Sequence, residues 1–108
     1  MMRANELQQR FSQVEQSIHH AAECCRSAMN VPMDLKDSIQ QLDQRTSQAR
    51  NMMQSQDESR VQQCIDELEQ LGDRAKDACE HSGNVDGELR DAVMQAHREL
   101  SSLKHQIH

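Results

Sequence analysis

The chain has 108 residues, 35% hydrophobic and 28% charged, with a formal net charge of −6 and a single aromatic residue, Phe11. One small domain fits this length, and its core must be built from Leu, Ile, Val, Met and Ala. Six surplus negative charges and the near absence of aromatic rings exclude base stacking and phosphate tracking, so nucleic acid is not an expected partner.

The residues after Met1 enter an amphipathic pattern at once, without the apolar run of a signal peptide. Apolar runs stay at two or three residues, far short of the ~20 that span a bilayer. No membrane association is expected, and a cytoplasmic location follows. The four cysteines, Cys24, Cys25, Cys64 and Cys79, are too sparse for a disulfide scaffold and are expected as thiols.

Four stripes with alternating steps of four and three predict four helices. The first reads Leu7, Phe11, Val14, Ile18, Ala21, Cys25, Ala28. Asn30-Val31-Pro32 ends it, because proline lacks an amide donor and pushes the residue before it out of the helical region. The second stripe is Leu35, Ile39, Leu42, Thr46, Ala49, Met53, and the third is Val61, Ile65, Leu68, Gly72, Ala75, Cys79, Ser82. The step from Met53 to Val61 overshoots two turns by about 80°, so a break is expected near residues 54 to 56. Ser55 with Glu58 reads as a capping box there. Gly83 is expected to close the third helix as a left-handed cap. Asp86 is expected to cap the fourth, whose stripe is Leu89, Val93, Ala96, Leu100, Leu103, Ile107.

Sliding the chain on itself by 54 residues gives twelve identities, among them Glu15/Glu69, Cys25/Cys79, Leu35/Leu89 and the turn pair Asn30-Val31/Asn84-Val85. The expected architecture is an all-α, antiparallel up-down-up-down four-helix bundle. It forms a single domain of two repeated helical hairpins, about residues 1–54 and 55–108. Coiled-coil-like seams line its core.

No catalytic constellation stands out, and a non-enzymatic interaction or structural protein is the reading adopted. The histidines fall on outward or flanking positions and no Glu or Asp points inward, which disfavours a diiron centre. Local surface pairs are expected of His19 with Glu23, Asp77 with His81 and His105 with His108. His97 lacks the Lys and Gly that follow the active histidine of phosphotransfer domains. The competing reading is a thiol-based Cu(I) or Zn(II) site, or a redox-responsive thiol, at Cys24, Cys25 and Cys79, which cluster near one end of the bundle. No cofactor is otherwise called for. Cys64, Leu71 and Met52 widen the apolar face of the third helix, beside its seam. They are the expected contact with a protein partner, with a second copy of the chain in a homodimer as the favoured case.

Overall fold

In a computed structural model, the described residues are 3–54, 57–83 and 85–107. They form four helices: α1 (Ala4–Ser27), α2 (Met33–Met52), α3 (Glu58–His81) and α4 (Gly87–Ile107). Each stripe became one buried face. Every position of the four stripes is buried except Ala28 and Ser82, which lie past the ends of α1 and α3. Ala22 and Ala92 join the core from the flanks.

Each helix packs against its sequence neighbours, α4 returns to α1, and the backbones of the diagonal pairs stay apart across the core. Partners across the grooves show the directions. Gln62 at the start of α3 donates to the Ile107 carbonyl at the end of α4 (2.9 Å), while Lys104 reaches Glu69 and His97 reaches Asp73. Numbers rise on one helix as they fall on the other, so α3 and α4 are antiparallel. Arg50 with Glu15 and Asp43 with His19 give the same result for α2 and α1. The bundle measures 42 × 20 × 17 Å.

The helix ends explain the turns. Pro32 stands at the N-cap of α2, and its carbonyl accepts from Lys36 N–H at 3.0 Å. Asn30 carries a φ of 61°, the left-handed conformation that Asn tolerates at low cost. The expected left-handed cap at Gly83 is not formed: no described glycine has positive φ, and α3 ends through Ser82 in extended backbone (φ −99°, ψ 105°). That exit leads Val85 back to pack against the core. α2 and α3 are separate helices. Ser55 of the expected capping box lies outside the described residues, and the N-cap of α3 is Asp57, whose carboxylate accepts from Ser59 N–H (3.1 Å) and Arg60 N–H (3.3 Å). Asp86 caps α4 as expected, accepting from Glu88 N–H at 2.9 Å.

Helix starts in the two halves stand 54 residues apart, Ala4 against Glu58 and Met33 against Gly87, and α1 and α3 are equally long at 24 residues. The interhelix pairs repeat with the same offset. Glu15–Arg50 (3.2 Å) has its counterpart in Glu69–Lys104 (3.5 Å). His19–Asp43 (3.7 Å) has its counterpart in Asp73–His97, with acid and base exchanged between the helices.

Candidate functional site

The interior holds little chemistry. Thr46 is the one buried polar side chain among the described residues, and its hydroxyl donates to the Leu42 carbonyl at 2.6 Å. No buried side-chain nitrogen or oxygen among them lacks a partner. Reactive groups therefore sit along the grooves and at the ends.

The four cysteines are free thiols. Cys25 and Cys79 are buried in the apolar cluster at the end that carries the α1–α2 and α3–α4 turns, and Cys24 and Cys64 are half-buried. Burial pushes the pKa of all four up. Glu88, Asp86 and Glu23 add to the rise at Cys24, and Glu67 adds to it at Cys64. Lys36 and Arg26 partly offset it at Cys25, as an Arg90 hydrogen bond does at Cys79. These thiols stay protonated near neutrality, whereas a nucleophilic or redox-sensing cysteine needs thiolate.

Two clusters of metal-binding residue types occur among the described residues. The first joins His20, Cys24 and Glu88, and the second Glu69, Asp73 and His97; within each, one potential ligand atom per residue lies within 4.8 Å of the others. Cys24 thus meets a histidine one turn earlier on α1 and a carboxylate from the start of α4. Cys25 and Cys79 belong to neither cluster. The expected set of Cys24, Cys25 and Cys79 is therefore not brought together as three ligands, because adjacent Cys24 and Cys25 point about 100° apart on a helix and only Cys25 turns into the core.

The second cluster was missed in the sequence because it forms across two helices. His97 is a half-buried flank residue, with its side chain 16% exposed, and its Nε2 bonds the Asp73 carboxylate. Gly72 stands beside it, and a β-carbon there would meet His97 Cδ2 at an ordinary contact distance of 3.9 Å. The first cluster had a visible half, the four-residue spacing of His20 and Cys24.

The local surface pairs resolve unevenly. His19 Nε2 meets Glu23 at 3.4 Å, as expected. His81 instead donates from Nδ1 to the Asp77 carbonyl oxygen at 2.7 Å, satisfying a backbone group near the end of α3 and leaving the Asp77 carboxylate out of the pair. His108 lies outside the described residues.

Cys64, Leu71 and Met52 are half-buried and pack on the larger core cluster. Met29 (87%) and Met33 (68%) are the large hydrophobic side chains that stand fully in solvent among the described residues, both beside the α1–α2 turn. No helix among the described residues is long and apolar enough to cross a membrane. No protein-family model, curated protein or solved structure matches this chain.

Proposed function

We propose that the protein is a non-enzymatic helical interaction module that associates with protein surfaces, a second copy of the chain first among them. The observation that carries this reading is the exposure of Met29 and Met33 beside the turn at one end of a bundle whose other large apolar side chains, among the described residues, are covered or half-covered. Unbranched thioethers fill irregular apolar depressions without demanding one shape, so two of them beside one turn suit a protein contact. Val31 and Val85, half-buried at the same end, extend the apolar surface. The row of Met52, Cys64 and Leu71 offers less free area, because much of it already covers the bundle's own core. A thiol redox role is less well supported, since burial holds all four thiols in the protonated form.

Sedimentation equilibrium over a wide concentration range tests the reading on three proteins: the wild type, Met29→Glu/Met33→Glu and Leu71→Glu. A wild-type dimer weakened by the methionine pair supports the turn as the contact. Loss only on Leu71→Glu moves the contact to the α2–α3 face. A monomeric mass at every concentration overturns self-association.

A further inference from the structure

Three side-chain clusters hold enough chemistry to bind something. Glu69, Asp73 and His97 have the donors for a cation, but those donors are already engaged: Lys104 lies 3.5 Å from Glu69, and His97 bonds Asp73. The same arrangement recurs as Glu15, His19, Asp43 and Arg50 in the first hairpin. A feature present at both copies, with acid and base exchanged in one pair, is what helix bracing requires, and a metal site would not survive the exchange of a ligand. Cys25 and Cys79 are buried in the apolar cluster, Cys79 already meets Arg90, and neither belongs to a group of three potential ligands among the described residues.

The cluster of His20, Cys24 and Glu88 differs on both counts. The positions 54 residues away are Arg74, Ala78 and, for Glu88, Asp34, so the donor set exists in one copy only. No lysine or arginine is paired with it; instead Glu23 and Asp86 stand beside Cys24 and add negative charge. Cys24 Sγ and His20 Nε2 already face each other at 3.7 Å. Zinc bonds of about 2.3 Å to sulfur and 2.0–2.1 Å to nitrogen, at a tetrahedral angle, place those two atoms about 3.6 Å apart. The helix thus holds two donors at nearly the separation a bound zinc ion demands. Glu88 is exposed, and its side chain can swing to close the third position from α4.

We propose that His20, Cys24 and Glu88 form a Zn(II) site that clamps the end of α1 to the start of α4, with solvent in the fourth position. A mixed nitrogen, sulfur and carboxylate set suits Zn(II), while Cu(I) would select sulfur donors alone. On binding, a Zn–S bond forms and the Cys24 S–H proton passes to solvent, so one proton is released at the thiol for each ion bound. The clamp joins the two hairpins and is independent of the methionine surface.

The test uses untagged protein kept reduced with a phosphine, titrated with Co(II) and then Zn(II). The wild type should show thiolate-to-cobalt charge-transfer absorption that saturates at one ion per chain and is displaced by Zn(II). Cys24→Ser and His20→Gln should each weaken Zn(II) by about a hundredfold or more, since loss of a mere supporting contact already costs roughly 10–100-fold. Glu88→Gln should weaken it by about tenfold, and His97→Gln should leave it unchanged. Because His20 and Glu88 are exposed and Cys24 half-buried, helical circular dichroism should persist in every variant. An absent charge-transfer band, equal affinity in Cys24→Ser and the wild type, loss confined to His97→Gln, or one ion per two chains would each overturn the proposal.

Discussion

Gly72 of α3 leaves a space that Leu100 of α4 fills: a β-carbon at position 72 would stand 3.1 Å from Leu100 Cδ1. The equivalent positions of the first hairpin, Ile18 and Thr46, exchange the large and the small residue, and both are buried. Each half thus pairs one bulky and one small side chain at this level of its own seam, by opposite assignments.

Gly72→Ala sets two effects against each other. Alanine improves helix propensity by about 1 kcal/mol, but the added methyl overpacks a fully buried leucine, at about 1–3 kcal/mol. Because Leu100 has no solvent side to retreat to, packing should win by about 1 kcal/mol, a fall in Tm of roughly 4–8 °C. Adding Leu100→Val should return part of that loss. Thermal unfolding of the two variants decides; a Tm above wild type in Gly72→Ala would show that the helices can part.

Ile65 is fully buried in the larger core cluster. Ile65→Ala should cost about 2–5 kcal/mol through the cavity it leaves. Ile65→Asp should cost more, because an unpaired carboxylate replaces apolar contact. Urea denaturation followed by helical circular dichroism gives both values, and equal midpoints for the two variants would place residue 65 in contact with water.

Asp57 fixes where α3 begins. Asp57→Ala removes the acceptor of two amides and should cost about 1 kcal/mol, with Asp57→Asn recovering most of it. The exposed ion pair with Arg60 (3.7 Å) adds little, so Arg60→Ala should change the urea midpoint far less than Asp57→Ala does. The reverse order would mean that charge, not capping, governs this helix start.

Burial raises the pKa of Cys25 and Cys79 above the ordinary thiol value of 9.0. The native state then holds these protons more tightly than the unfolded chain. Their contribution is complete below the unfolded pKa and is lost as pH rises through the native pKa. The urea midpoint should therefore fall as pH rises through and above the ordinary thiol value of 9.0. The fall should be shallower in Cys25→Ala/Cys79→Ala, even though that variant is less stable at pH 7. Parallel falls in both proteins would assign the loss to other groups.

The exchanged pair permits a direct swap. Asp73→His and His97→Asp should each destabilise, the first by removing an acid–base contact and the second by setting two carboxylates together. The double variant, which copies the His19–Asp43 order, should recover to within about 0.5 kcal/mol of wild type, the scale of partly exposed pairs. No recovery in the double variant would show that the two grooves are not interchangeable.

The four stripes were legible because burial of a helix face is a local periodic demand, met by Leu35, Ile65 or Leu100 wherever the partner helix lies. The break between α2 and α3 was legible as a phase error for the same reason. The helix ends were less so. Ser55 has a capping hydroxyl and Gly83 the backbone freedom for a left-handed cap, yet Asp57 and Ser82 hold the caps of α3, and at its C-terminal end the exit path depends on where Val85 must pack. Clusters drawn from two helices, such as Asp73 with His97 or Cys24 with Glu88, depend on axial register, which no spacing within one helix reports. Only the His20–Cys24 half of the candidate zinc site was open to view.

The braces at Glu15–Arg50, His19–Asp43, Glu69–Lys104 and Asp73–His97 all join helices of the same hairpin. Across the hairpins the seam is chiefly apolar, with Ser17 donating to Glu99 as one polar tie. Each of the two core clusters nevertheless draws side chains from all four helices, so the hairpins share one interior. Cleaved in the link after Met53, neither half would keep a covered apolar face of its own, and folding would require the two to meet again through the seam, as the chains of an obligate dimer do. Concentrated salt would screen the partly exposed braces while leaving the shared apolar interior nearly untouched.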